Sequence, residues 1–492
     1  MSDLAKAQAV NSIPLYVAEC SFFFVLCPVL ESEDGSKLLG PSSWASRGWC
    51  RIERCCRELS PEHSWIMIRS AKHMELIDTP IATPGAGCAG EGEFTVESDR
   101  QKLGPVLLKA VQRKLRFLLR SGNLVGYRTL LNHQPLFLRG FDVEIQYDLI
   151  PGFEALPCLG EASEASEASL IVSQFLYQNG FSKVAELDKV GWTPLHYAGC
   201  RGEPELVRAL LAHRANPNVM ATKDNVMAGA LRKWRVMTSV AALRHHEVAH
   251  ILIEAKADLS GTQLVGAAIG NDPEGIRILC EVGGVSPYAA DDEGGFGVKA
   301  ITLACMYGAE AAVEALFKQA ARVGGRVDLS NIFWLSCTFG NAGAKLVDTL
   351  LEVQADLDER GSFSLKTPLG LLFSVLALKY RLGSRTRLAT MSYHRNGATP
   401  LIQAVLGGQW EAAATLIARG ARVDLRNSLG FSAADLALSP PAFLTRAFEG
   451  DVDGCVRVAR LAKAERAPDA CRPHGGMHGG QEEDDQMIEV MF

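Results

Sequence analysis

The stretch from Asp188 to Val219, DKVGWTPLHYAGCRGEPELVRALLAHRANPNV, constrains this chain more than any other, because its pattern returns downstream. Thr193 is placed to cap a helix, Pro194 suits the first turn, and Leu195 opens an apolar face. Gly202 ends that helix, since reversing the chain calls for a left-handed residue. A second helix follows, with Leu206, Val207, Leu210 and Leu211 on one stripe, and Ala215-Asn216-Pro217-Asn218 closes the unit in a loop. The paired apolar residues recur at Leu210-Leu211, Leu252-Ile253, Ile278-Leu279, Leu316-Phe317, Leu350-Leu351 and Leu416-Ile417, at spacings of 42, 26, 38, 34 and 66. Units repeating at such a period cannot bury their apolar faces alone, so they must stack.

At these residues the chain resembles an ankyrin repeat, whose length is about 33 residues. Gly202, Gly308 and Gly408 each stand eight residues before a pair, and Ala257-Asp258-Leu259, Ala355-Asp356-Leu357 and Ala421-Arg422-Val423-Asp424 repeat the closing loop. Thr399-Pro400-Leu401 opens the best late copy, and the spacing of 66 leaves space for a missing copy opened by Thr367-Pro368-Leu369. Phe175-Leu176 suggests a cap before the first unit, and Gly430 to Ala437 a closing half-repeat. Two departures are expected to make the stack uneven. The spacing of 26 leaves no space for a hairpin finger, and Tyr380 to Arg395 reads as an inserted loop rich in Arg and Ser.

The expected fold is therefore mainly α: a degenerate repeat array of about seven units over 169–448, preceded by a small α/β domain over 1–145 and a linker over 146–168. Residues 449–492 are expected to be a disordered tail, Pro-, Gly-, His- and acid-rich from Ala467 onward. Thr79 to Gly92 and the triple Glu-Ala-Ser of Glu161 to Ser169 read as linkers. Two apolar runs, Ser21 to Leu30 and Leu369 to Leu378, fall short of the roughly 20 residues of a spanning helix and read as a buried strand and a buried helix. No signal peptide is evident. Thirteen scattered Cys suit reduced thiols in the cytoplasm, and a net charge of −6 argues against a nucleic-acid binder.

Within 1–145 the order is strand (Phe22 to Leu26), helix (Arg47 to Leu59), strand (Trp65 to Ile68) and helix (Leu103 to Arg120), the grammar of a parallel sheet with covering helices. The block Ser42-Ser43-Trp44-Ala45-Ser46-Arg47-Gly48-Trp49-Cys50-Arg51-Ile52-Glu53 resembles the Ser-Arg-Trp-Cys-x-x-Glu block of TIR domains. The resemblance implies an alternative reading, an NAD-cleaving enzyme with Glu53 as the catalytic carboxylate stabilising an oxocarbenium-like state. The preferred expectation is a partial TIR-like domain without catalysis, because few residues precede Phe22 to build a nucleotide cleft.

The remaining constellations have structural readings. Cys50, Cys55, Cys56 and His63 lack a second matching pair for zinc, so no metal is expected and the thiols read as small buried residues. His196 is expected to bond the Thr193 hydroxyl and the backbone within its turn. His245, His246 and His250 read as an exposed helix face. Lys102 to Arg120 is basic on one side and apolar on the other, the mark of a docked helix with a solvated basic face or of peripheral membrane contact. The sequence thus points to a non-enzymatic scaffold that needs no cofactor and binds another protein through finger and first-helix residues. Lys189, Trp192, Tyr197, Arg201 and Asn396 are the expected contacts, with Trp192 the anchor.

Overall fold

The computed structural model describes residues 3–61, 63–77, 88–154, 164–291, 297–325, 327–339 and 343–465. Two-helix hairpins stack side by side. Their first helices are Pro194–Arg201, Val236–Ala242, Gly261–Ile269, Ala300–Met306, Ile332–Phe339 and Pro400–Leu406, and each packs on the next. All six apolar pairs read from the sequence fall on the second helices: Pro204–Ala212, His246–Glu254, 273–282, Glu310–Val323, Ala344–Glu352 and Trp410–Ala418. One continuous core runs from Val172 and Phe175 through Leu210, Leu252, Leu316 and Leu350 to Leu416 and Leu461.

The turn glycines do what the sequence asked of them. Gly202, Gly308 and Gly408 have φ of 78°, 64° and 63°. The copy at Leu252-Ile253 places Arg244 at that step with φ of 64°, and the copy at Ile278-Leu279 turns one residue later, at Asn271 with φ of 49°. Asn tolerates that region, and Arg244 anchors itself by donating from Nε to the Gly270 carbonyl at 2.7 Å.

Four expectations about the array need correction. It opens at Leu124, not Ser169: helix Leu124–Phe137 packs on Pro194–Arg201, and helix Glu164–Asn179 packs on Pro204–Ala212. The Glu-Ala-Ser repeat therefore runs into a helix over its described part. The tail does not start at 449 either. Helix Asp453–Glu465 packs on Trp410–Ala418 and closes the core through Cys455, Val458 and Leu461. The rest of the expected tail, from 466 on, lies outside the described residues.

The third correction concerns Thr367-Pro368-Leu369, which does not open a missing copy. Helix Ile332–Phe339 packs directly on Pro400–Leu406, and the chain between them forms an inserted hairpin of helices Pro368–Arg381 and Arg387–Tyr393. Last, the run Leu369 to Leu378 is not a buried helix: within Pro368–Arg381 only Gly370 and Phe373 are buried. The hairpin packs on the array through Phe373, which meets the Trp334 ring at 5.5 Å, with Leu369 and Leu376 packed beside it and Met391 also buried, while Leu371, Leu372, Val375 and Leu378 are exposed.

The N-terminal module holds a three-stranded sheet of β1 (Phe24–Leu26), β4 (Trp65–Ser70) and β5 (His73–Ile77), with a small antiparallel pair β2 (Leu30–Glu31) and β3 (Leu38–Leu39). β1 and β4 are parallel in the register Phe24↔Ile66, and helices Pro41–Ser46 and Gly48–Glu58 form their crossover, as the sequence order implied. β5 adds an antiparallel edge that the sequence did not announce. One sheet face is core, with Val25, Trp65, Met67 and Ile77 under Trp44. The other carries Phe24, Leu26, Met74 and Leu76, all exposed, so the run Ser21 to Leu30 is buried on one side only.

Arg57 ties this module together, donating to the carbonyls of Cys20 at 2.7 Å, Ser21, Val17 and Ser64. These bonds hold the end of helix Asp3–Glu19 against helix Gly48–Glu58. The module also braces the array. Helix Ser98–Arg120 packs on helix Leu124–Phe137 at the array's start. Near its end, Ser42 donates to Glu411 at 2.7 Å, Glu75 pairs with Arg387 at 2.6 Å, and Glu31 pairs with Arg457 at 3.0 Å. His73 stands edge-on to Trp410 with ring centres 5.0 Å apart.

Candidate partner-binding surface

Asp188 organises the first finger. Its carboxylate accepts the N–H of Val190 at 3.0 Å and of Trp192 at 2.9 Å, and the hydroxyl of Tyr197 at 2.6 Å. That collar turns Trp192 inward, where it is 1% exposed and packs on His196 and Tyr197 with ring centres 5.5 and 5.0 Å away. Trp192 is therefore a core residue, and not the partner anchor expected. Tyr197 is equally buried, because helix Leu124–Phe137 covers the face that a first unit would leave open. Burial, with the Asp188 charge beside it, raises the Tyr197 phenol far above its ordinary range.

Arg201 is half-buried, its guanidinium 3.3 Å from the Tyr147 ring centre and paired with Glu203 at 2.7 Å, so it too is engaged. Lys189 and Asn396 remain exposed at finger loops. The Asn396 backbone carbonyl accepts the Ser428 N–H at 2.8 Å, linking two neighbouring fingers. The five expected contacts do not converge on one site.

A different surface forms beside Lys189. The Val190 carbonyl accepts the N–H groups of Thr222 and Lys223, joining the first finger to a long second one. This second finger is held by Ala221 and Lys233 bonding to Trp234 and Ala221, and its Asn225 Nδ2 donates to Thr129 Oγ1 at 2.9 Å. Asn225 is buried, so the turn Val226–Ala228 is fixed on the opening helix. Held in this way, Met220, Val226, Met227 and Leu231 point to solvent, Val226 being 69% exposed, with Lys223, Arg232 and Lys233 exposed around them. Sequence reasoning missed these residues. The spacing of 42, nine beyond one period, was the signal for an enlarged finger.

Two clefts flank the early part of the chain. One, of about 580 Å³, is lined by Glu144, Tyr147, Asp148, Gln174, Gln178 and Arg201 among others. Gln178 pins its wall, accepting the N–H groups of Leu149 and Ile150 and donating to the Ile150 carbonyl. The other, of about 550 Å³, lies on helix Ser98–Arg120 and is lined by Lys109, Gln112, Arg113, Arg116, Phe117 and Arg120. The opposite side of that helix, with Leu103, Leu107, Val111, Leu115 and Leu118, is core. Its leucines and valines are thus unavailable for insertion into a bilayer, and the outward face is the cationic stripe with the exposed Phe117 among it.

Glu53 lies on helix Gly48–Glu58, half-buried, and lines neither cleft. Burial raises its carboxyl, and Arg47 partly offsets the rise. Cys55 and Cys56 are buried thiols, and among the described residues no three His, Cys, Asp or Glu side chains gather as metal ligands. The exposed face expected of His245, His246 and His250 does not form, since all three are half-buried. His245 bonds the Cys200 carbonyl at 3.0 Å, and His246 bonds the buried Asp272 at 2.8 Å, so each links its unit to a neighbour. Among the described residues no helix is long and apolar enough to cross a membrane.

The architecture is that of a stacked-hairpin solenoid. Residues 159–263 match the family described as Ankyrin repeats (3 copies), so this stretch consists of ankyrin repeats, a protein-binding module. Among solved structures the chain is similar to the human ASB11 ankyrin repeat domain, at 17% identity with a TM-score of 0.27, covering 62% of this chain and 97% of that one. No curated protein matches.

Proposed function

We propose that this chain is a non-catalytic scaffold of the cytoplasm that grips another protein with the paired fingers at Lys189 and 219–233. The observation that carries the reading is the apolar tip Met220, Val226, Met227 and Leu231, exposed yet fixed from beneath by the buried Asn225–Thr129 bond. A preformed tip binds without an ordering cost, and its cationic rim favours a partner segment with acidic residues beside apolar ones. The N-terminal module is read as a TIR-like remnant. Supporting that reading are the parallel β1–β4 pairing and the crossover helix that carries Glu53. Supporting the absence of catalysis is the position of Glu53 outside both clefts. Unpaired thiols at Cys27, Cys55, Cys56, Cys200, Cys305 and Cys337 support a reducing compartment.

The test is affinity purification of the full chain beside Val226→Asp/Leu231→Asp, with cross-linking to identify what is held. The expected result is a partner cross-linked to 219–233 and lost in the variant, with circular dichroism unchanged. Equal recovery by both chains would remove the finger as the contact. NAD consumption by the purified protein, abolished in Glu53→Ala, would overturn the non-catalytic part.

A further inference from the structure

The inserted hairpin has no counterpart in the repeat pattern and contributes little to the array's core, and its surface has a chemistry of its own. Helix Pro368–Arg381 begins at Thr367, whose hydroxyl accepts the Gly370 N–H at 3.1 Å. It is fastened by Phe373 in the aromatic cluster with Trp334 and Phe363, and by the buried Arg395, which donates to the Phe373 and Ser392 carbonyls and to Ser374 Oγ. Tyr380 stacks on Tyr393 at 4.4 Å and locks the two helices together.

Leu371, Val375, Leu378 and Leu382 follow one another at steps of four, three and four, so they share one face of the helix. They are 57, 47, 55 and 79% exposed, and Leu365, Leu372 and Leu388 are exposed around them. A contiguous apolar patch of this size on a soluble surface marks an interaction site. The charge is equally one-sided. Between Arg360 and Ala398 the chain has six Lys and Arg and no Asp or Glu, although its net charge is −6. Arg387 is engaged with Glu75 and Arg395 is buried, while Lys366, Lys379, Arg381 and Arg385 are exposed beside the leucines.

We propose that this hairpin docks the protein on an anionic lipid bilayer, with Leu371, Val375, Leu378 and Leu382 entering the acyl boundary and Lys366, Lys379, Arg381 and Arg385 meeting lipid phosphates and carboxylates. An apolar helix face bordered by cations is the composition that lies in a membrane interface. The alternative occupant, an acidic amphipathic helix, is disfavoured on shape. The hairpin is a projection and not a groove, and it carries no acid to set the register of a helical partner. A flat bilayer demands neither. Anionic lipid also fits the cations, each worth about fivefold in partitioning. Helix Ser98–Arg120 has its leucine face buried and leaves one large apolar side chain, Phe117, exposed, a far smaller means of insertion.

The experiment is co-sedimentation of the full chain with phosphatidylcholine vesicles, with and without about 30 mol% phosphatidylserine. Binding is expected only with the anionic lipid. Leu378→Asp/Leu382→Asp should lower it at least tenfold, because an acid in the acyl boundary opposes insertion, while Lys109→Glu/Arg113→Glu/Arg116→Glu should change it by less than about threefold. The leucines are exposed, so circular dichroism should not change, and hydrogen exchange over 368–382 should slow on vesicles. The proposal is overturned if the protein ignores anionic vesicles, if the leucine variant binds equally well, or if only the 109–116 reversal abolishes binding. Capture of an acidic amphipathic peptide by a hairpin that does not bind vesicles would overturn it too.

Discussion

Acid should loosen the array at the hairpin of Pro194–Arg201 and Pro204–Ala212, through His196. This imidazole is buried beneath the turn, and Nδ1 accepts the Thr193 N–H at 3.1 Å, which requires a neutral ring. Burial lowers its pKa to about 4 from an ordinary value of 6.5. A folded pKa below the unfolded one means the unfolded chain binds the proton more readily. Stability is then full above pH 6.5 and falls as the pH drops toward 4. At pH 5 the unfolded histidine is almost wholly charged and the folded one almost wholly neutral, a linkage cost of about 2 kcal/mol. His133 and His245 are also lowered to about 4 by burial. Three such costs approach a domain's whole stability of about 5–15 kcal/mol. The assay is hydrogen exchange over 194–212 at pH 7.5 and pH 5, corrected for intrinsic rates, in the parent and in His196→Asn. The parent should lose about 2 kcal/mol more local stability across that interval than the variant. An equal loss in both would refute the assignment of the acid lability to His196.

Trp192→Ala should destabilise the first units by about 3–5 kcal/mol in urea unfolding. Because Trp192 is core, partner binding at temperatures where the variant stays folded should fall far less than in Val226→Asp/Leu231→Asp. Arg57→Met should release helix Asp3–Glu19, since four carbonyls lose their donor, at a cost of about 3 kcal/mol or more. Hydrogen exchange over 3–19 should accelerate while exchange over 400–418 is unchanged.

Much of the array was legible because its signals are local. A Thr-Pro start, a left-handed residue and an apolar pair eight positions later specify a hairpin without reference to the rest of the chain, and all six pairs were placed on the right helices. What the sequence concealed depends on which surfaces meet. Tyr197 looked available because nothing in its own unit says that helix Leu124–Phe137 will cover it, and Trp192 because the Asp188 collar that turns it inward leaves no mark in the repeat spacing. Leu369 to Leu378 looked buried because apolar composition is the same whether a helix is covered or bare. The spacing of 66 was read as two periods, yet the arithmetic fits an inserted hairpin equally well. Asp272 escaped notice as the partner of His246 because 26 residues and a turn lie between them.

The contacts of the N-terminal module at helix Leu124–Phe137 and again at Glu411, Arg387 and Arg457 have a mechanical meaning. A free row of hairpins behaves as a spring whose curvature changes with load. Here a strut fixes the opening hairpin relative to the last one. Tension applied at the fingers is then felt at distant ion pairs, and removing the first hundred residues would do more than shorten the molecule: it would unlock its stiffness.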